Sequence, residues 1–405
     1  VRFSSRVPRD LRPNEIAQIV EAKRQAGVPL TDLTLSNPTR AGFSYPREAI
    51  LGALAQDQVL DYDPGPRGLP QARAAIAEYY RDQGLPIDPE FVFPTASTSE
   101  AYSLLCKLLA EPDERLLVPR PSYPLIEILA GLEAVRAVPY RLRRSRPSGW
   151  EVDLEDVARQ AEAGCRAIAA VNPNNPTGSY LKPLERQTLS LLARNRGCAL
   201  IVDEVFLDYP APGRPMSPSP SMAGNKDALT FVLSGLSKVA GLPQIKLSWI
   251  VVSGPEPDRS EAQERLEFIA DSYLSASTPA QIALPALLRG RHEIQRQIRK
   301  RLEGNEALLR AEVQSTPGVE LHPREGGWYA VMQVDRPASD EELARELLVK
   351  DNVLVYPGFF YDFPSGEYLI LSLLAGEKDF ERGAASIRRR ISASRSVDPR
   401  KKESE

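Results

Sequence analysis

The sequence predicts an α/β fold in which a large, mostly parallel sheet lies between helices, with a smaller α+β domain beside it. Three observations carry this. Near-continuous apolar runs at 168–171, 199–202, 229–233 and 248–252 suit strands covered on both faces. Helical patterns alternate with strand-like runs from about residue 90 to 254, as in a sheet wrapped by crossover helices. From about Pro279 the texture shifts to long helices and short strands.

The elements follow in order. A helix over 14–26 and a short strand over 30–35 open the chain. Between the runs at 168–171 and 199–202, residues 183–197 read as a helix: Leu189, Leu191, Leu192 and Ala193 give it an apolar side, and Gly197 ends it. Residues 279–313 read as one long helix rich in Arg, Gln and Glu, with Pro279 in its first turn. Strands over 328–334, 353–356 and 368–371 come next, the first two separated by a helix over 341–350. The charged tail, 396–405, is expected to be disordered.

Composition removes several classes. A net charge of -3 and an aromatic share of 7% offer neither a basic surface nor a stacking stripe, so no nucleic-acid partner is expected. The first ten residues lack an apolar core, and no run approaches the ~20 residues of a membrane span. No membrane contact is expected, and the cytoplasm is the expected location. Cys106, Cys165 and Cys198 fall at no metal-ligand spacing and read as reduced core residues. With only His292 and His322, a metal centre or a histidine-based triad has little material, and proton transfer falls to a lysine.

Three short segments carry candidate chemistry, each after an apolar run. Lys238 closes Ser234-Gly235-Leu236-Ser237-Lys238. It emerges at a strand's carboxyl end, where open α/β sheets bind ligands, and desolvation there lowers an amine toward the nucleophilic range. Asp203 ends the run 199–202, where a carboxylate is costly unless a cation meets it. Asn175 opens Asn175-Pro176-Thr177-Gly178, a turn whose proline and glycine hold one amide in a fixed direction. Singly, each has an ordinary reading: a surface lysine, a strand-end cap, a plain turn. Together they equip a site for a pyridine-aldehyde cofactor. The lysine forms the imine, the aspartate keeps the ring nitrogen protonated, and the asparagine hydrogen-bonds the ring hydroxyl.

In this order and spacing the chain resembles the fold-type I, pyridoxal-phosphate-dependent aminotransferases of the class I/II group, over roughly residues 30–390. The resemblance implies that Lys238 holds pyridoxal 5'-phosphate as an aldimine and serves as general base and acid, with Asp203 and Asn175 in the roles above. It implies that Tyr123 of Pro121-Ser122-Tyr123-Pro124 stacks on the ring. Ser97 and Thr98 open a helix whose N-terminus binds the phosphate, helped by Ser237 and Lys246. Tyr62 reaches the neighbour's phosphate across a homodimer interface, and 275–278 resembles a second cross-dimer stretch. An amino donor and a 2-oxo acid are the implied substrates. The implied domains are 45–285, holding the cofactor on a mostly parallel sheet of the seven-stranded type, and 1–44 with 286–395.

Some positions depart from the family pattern. Lys246 stands where an Arg is usual, keeping the charge but losing the bidentate fork. Gly235 stands where a phosphate-binding Ser is common, leaving that task to Ser234 or Ser237. Phe206 replaces a Tyr that donates to the ring hydroxyl, which should raise the imine pKa. Tyr368-Leu369-Ile370-Leu371-Ser372 has Ile where the family places the Arg that grips the substrate carboxylate. Asn37 and Arg40 are the candidate substrate contacts in its place. Trp328, Tyr329, Phe359, Phe360 and Tyr361 either line an aromatic pocket or fill the core. Two other readings stay open: a lyase, decarboxylase or cyclase using the same cofactor on an amino acid, and a non-catalytic cofactor-binding sensor.

Overall fold

The structure is a computed structural model that describes residues 1–146, 149–214, 219–335 and 339–395. The expected disordered tail at 396–405 lies outside the described residues. Strand β1 (Thr31–Asp32) is short. Next come β2 (Val92–Thr95), β3 (Arg115–Arg120), β4 (Arg136–Ser145) and β5 (Gly149–Val152). They are followed by β6 (Ala167–Val171), β7 (Ala199–Asp203), β8 (Thr230–Gly235) and β9 (Ser248–Ser253). These form one eight-stranded sheet in the order β2-β9-β8-β7-β6-β3-β4-β5. From β8 to β4 the pairing is parallel. β9 runs antiparallel to β8 and β2, and β5 folds back antiparallel on β4. That hairpin return is the strand added to the seven expected.

The apolar runs are strands buried on both faces. Ile168, Ala170, Leu200, Val202 and Val232 join one core, with Leu189 and Ala193 of the helix Pro183–Arg196. Ala169, Ile201, Phe231 and Leu233 join the other, with Leu105 of the helix Thr98–Leu109 and Leu266 of the helix Asp258–Tyr273. Alternate residues point to opposite faces, so the strands show no polar side. Burying each large apolar side chain contributes ~1.5–3 kcal/mol.

Beyond this sheet lie β10 (Val319–Leu321), β11 (Tyr329–Val334), β12 (Val353–Leu354), β13 (Tyr356–Pro357) and β14 (Glu367–Ser372). Four of them form an antiparallel sheet, β10-β11-β14-β13, while β12 pairs in parallel with β1. The N-terminal segment thus returns to this part: the Leu33 amide donates to Leu354 O at 2.9 Å and the Ser372 amide to Leu33 O at 2.7 Å. A third core gathers Leu33, Phe206, Trp328, Ile370 and Phe380.

Two elements differ from the sequence reading. The expected long helix is two, Thr278–Arg289 and Arg291–Gln314, divided at Gly290. Glycine is a weak helix former. Beside it the buried Arg291 guanidinium reaches Leu288 O and Asp82, each at 2.7 Å. The expected strand over 353–356 is split because the chain changes partner, from β1 at Leu354 to β14 at Tyr356.

Register places the chemistry. Val171 lies opposite Asp203, Asp203 opposite Leu233, Gly235 opposite Ser248, and Ser248 opposite Thr95. The turns after β6, β7, β8 and β2 and the turn before β9 therefore share one edge. Among the described residues no helix is long and apolar enough to cross a membrane, and no group of His, Cys, Asp and Glu is arranged to hold a metal ion.

Candidate active site

Lys238 lies in a short helix, Leu236–Val239, directly after β8. That turn is held by the Tyr209 hydroxyl, donating to Lys238 O at 2.6 Å, and by Gln295 Nε2, donating to Val239 O at 2.8 Å. The Lys238 Nζ stands 4.6 Å from the centre of the Trp328 ring and 5.3 Å from that of Phe206. It also contacts the Ser36 carbonyl at 3.5 Å. Burial pushes the amine down to about 8, against the opposing pull of the Asp203 carboxylate. An amine in that range is partly neutral near pH 8 and can act as nucleophile and base.

Asp203 is the last residue of β7. Its Oδ1 accepts the Val205 amide at 3.1 Å, and its Oδ2 faces the Tyr102 hydroxyl at 3.5 Å. Burial pushes this carboxyl up to about 6, and those bonds and Lys238 draw it back down. A half-buried carboxylate so thinly bonded is short of a cation.

The Asn175 turn is closed by two backbone bonds, Gly178 N to Asn174 O and Asn174 N to Ser179 O, both 2.8 Å. Gly178 has φ +71°, and a Cβ there would lie 2.6 Å from Gly326 O, so only glycine fits. Asn174 Nδ2 donates to Pro121 O at 3.1 Å and its Oδ1 accepts the Ser122 hydroxyl at 3.0 Å. The loop bearing Tyr123 is thus tied to the turn bearing Asn175. The Asn175 Oδ1 is buried without a hydrogen-bond partner. A buried orphan amide implies a missing polar partner.

Beneath these turns, buried Glu204 accepts from the Ser221 hydroxyl, the Met222 amide at 2.8 Å and Asn172 Nδ2 at 3.2 Å. Burial raises its carboxyl to about 7. Asn172 Oδ1 in turn accepts the Leu181 amide at 3.0 Å. This network fixes the residues that follow β6 and β7.

The other expected residues fall around this cluster. Ser97 caps the helix Thr98–Leu109, its Oγ accepting the Glu100 amide at 3.1 Å, with Thr98 first in the helix. Ser237 is half-buried beside Lys238; Lys246 is exposed, two residues ahead of β9. A Cβ at Gly235 would lie 2.8 Å from Ser248 Cβ, so Ser248 fills the room a side chain at 235 would need. The Ser234 hydroxyl is buried without a partner. Asn37 spends its Oδ1 as a cap on the Thr39 amide and hydroxyl, at 3.0 and 2.7 Å, and Arg40 is exposed at the end of that turn. Tyr62 is 76% exposed and shares a cleft of about 200 Å³ with residues 275–278. Ile370 is wholly buried in β14 between Val331 and Tyr356, so no cation stands there. Of the aromatic candidates, Trp328 lies against Lys238, Tyr329 and Tyr361 are buried, Phe360 stacks on Tyr356 with ring centres 5.2 Å apart, and Phe359 is exposed.

Tyr102, Glu204 and Ser248 escaped the sequence reading. Asn172 follows an apolar run directly and Glu204 follows one after Asp203, a usable signal. Tyr102 shares its helix face with core residues and gives none.

An amine lowered by burial, a carboxylate short of a cation and an amide with an unpartnered oxygen, on one sheet edge, fit the groups that pyridoxal phosphate requires. The family model for aminotransferase class I and II matches residues 29–376. The glutamate-pyruvate aminotransferase AlaA of Escherichia coli (strain K12) is 27% identical over 385 residues, covering 92% of this chain and 93% of its own length. The alanine aminotransferase of Mycobacterium bovis is 27% identical over 370 residues, covering 88% and 83%. Among solved structures, the alanine aminotransferase from Pyrococcus furiosus matches with a TM-score of 0.86 and 25% identity, covering 97% of this chain and 100% of that one. Amino-group transfer is the chemistry these relatives support, and the lyase, decarboxylase or cyclase alternative is not favoured. The chain belongs to the class I and II aminotransferases and is a pyridoxal-phosphate-dependent transaminase.

Proposed function

We propose that this transaminase moves an amino group between a small 2-amino acid, alanine or glutamate, and the corresponding 2-oxo acids. The names of its relatives suggest these substrates. The observation that carries the site assignment is the convergence of Lys238, Asp203 and Asn175 on one sheet edge. When bound, the cofactor supplies an electron-accepting ring joined to the substrate nitrogen. Lys238 would take a proton from the substrate α-carbon as general base and, as general acid, deliver it to the cofactor's C4′ carbon instead of back to the substrate. Asp203 keeps the ring nitrogen protonated, and Asn175 meets the ring oxygen. Tyr123 covers the ring, while Ser97, Thr98, Ser237 and Lys246 serve the phosphate at the helix N-terminus. Trp328 and Phe206 keep water from the amine. Arg40, in the turn after Ser36, is our candidate for the substrate carboxylate, with Asn37 beside it.

In this proposal the chain divides into domains over 45–285 and over 1–44 with 286–395 and pairs as a homodimer. Exposed Leu60, Tyr62, Phe268, Tyr273 and Leu274 supply apolar surface for a second copy, as an interface requires. Light scattering is expected to give twice the 44.7 kDa chain mass; a monomer would remove the assignment of Tyr62. The free thiols suit a cytoplasmic setting. A single-turnover test decides the reaction. Mixed with excess alanine or glutamate, the holoenzyme should convert to its pyridoxamine form and release one 2-oxo acid per site. Gas or ammonia release without that conversion would favour elimination or decarboxylation, and no change with either donor would reject the substrate assignment.

A further inference from the structure

Two cysteines lie at the sheet edge opposite Lys238. Cys165 stands two residues before β6, and Cys198 immediately before β7. These strands are parallel neighbours, with Ala167 opposite Ala199, and the Ala199 amide donates to Arg166 O at 3.0 Å. Cys165 is one residue out of register with Cys198; at a strand spacing of ~4.8 Å and a rise of ~3.3 Å per residue their Cα atoms fall about 5.8 Å apart, within the ~4.4–6.8 Å that a disulfide spans. Both side chains pack on the same core, the one that holds Leu200 and Val202.

The two differ in what surrounds them. Cys165 is half-buried, while Cys198 is buried. Arg115 fixes the loop before Cys165, donating to Gly164 O at 3.0 Å and to Gln160 Oε1 at 3.1 Å. Arg196 reaches Glu162 at 3.2 Å on the other side. The Cys198 thiol, donating to Cys165, holds the latter below the usual thiol range, and the Arg115 and Arg196 guanidiniums add to the effect despite burial. The Cys198 thiol is pushed up, first by that same bond and then by burial. A cleft of about 470 Å³, lined by Cys198 with Arg166 and Arg194, opens beside the pair.

We infer that Cys165 and Cys198 form a redox-responsive dithiol, a modification site for low-molecular-weight disulfides. Cys165 is the attacking thiol. Its thiolate attacks one sulfur of a small disulfide, forming a mixed disulfide and releasing one thiolate. The Cys198 thiolate then attacks the Cys165 sulfur, closes the Cys165–Cys198 bond and releases the second thiolate. The protein loses two electrons and two protons, and the disulfide leaves as two thiols. The bond joins the starts of the two strands whose far ends bear Asn175 and Asp203.

The test uses the holoenzyme with glutathione disulfide as probe and intact-mass and peptide mass spectrometry as readout. The wild-type chain is expected to lose two hydrogens, retain no glutathione and yield a cross-linked peptide pair containing Cys165 and Cys198. Cys198→Ser should stop at one glutathione on Cys165, and Cys165→Ser should take none on Cys198 in the same time. Cys106, buried and pushed up to about 11, is the internal control and should stay unmodified. A wild-type chain that keeps glutathione on Cys165, or in which neither thiol reacts, overturns the proposal; because the wild-type arm is decisive, a misfolded variant does not rescue it.

Discussion

Lys238→Ala is expected to lower kcat by on the order of 10⁴-fold, the upper end of what a positioned acid–base group contributes. The loss should appear in the half-reaction as well as in turnover, because one amine both holds the cofactor and moves the proton. A second signature needs no substrate. In the cofactor-free protein the Lys238 amine titrates near 8, against an ordinary 10.5. Between those values the folded chain binds fewer protons than the unfolded one, so this residue makes stability rise with pH through that window. Below pH 8 the full cost of a partly desolvated ammonium is present. Lys238→Met removes that cost. The cofactor-free variant should therefore melt several degrees above wild type at pH 7, with the gap closing toward pH 10.5. A variant that melts at or below wild type at pH 7 would mean the amine is better solvated than its position against Trp328 and Phe206 indicates.

Asp203→Asn is expected to lower kcat/KM by ~10²–10³-fold, the scale of one preorganised electrostatic partner. An amide of the same shape cannot hold a ring-nitrogen proton by charge. The sign of the pH effect is opposite to that of Lys238. The Asp203 carboxyl titrates near 6 in the folded, cofactor-free chain against an ordinary 3.8. There the folded chain binds the extra proton, so this residue makes stability fall as pH rises from about 4 to 6. Asp203→Asn should flatten that decline in a thermal-unfolding series. Tyr102→Phe is the graded version: losing the hydroxyl at 3.5 Å pushes the Asp203 carboxyl higher still and steepens the same decline. A Tyr102→Phe profile indistinguishable from wild type would place the phenol outside the hydrogen-bonding of Asp203.

Asn175, Asp203 and Lys238 are legible in the sequence for a physical reason. Each follows a two-sided apolar strand, and parallel pairing carries the ends of such strands to a common edge, so spacing along the chain translates into proximity. The phenol of Tyr102 is not legible. It lies on the buried side of an amphipathic helix, where Tyr79 and Tyr80 show that such rings are equally at home in a core. Nor is the placement of Trp328, which reaches Lys238 from the second sheet through a contact that no local pattern encodes. At Ile370 the residue type carries only half of the answer. Its apolar side chain indicated no carboxylate grip, and its complete burial between Val331 and Tyr356 shows that the position belongs to the core of the second sheet. The division of the expected long helix at Gly290 was hidden because a single glycine is tolerated in many helices.

The most direct test of the site is to trap the cofactor on its lysine. Treating the holoenzyme with sodium borohydride reduces the bond between cofactor and protein, and peptide mapping then locates the phosphopyridoxyl group. It should be found on Lys238 Nζ alone, with peptides carrying Lys182 and Lys246 unmodified. A phosphopyridoxyl group on another lysine, or on none, would contradict the assignment of Lys238 and with it the site at this sheet edge.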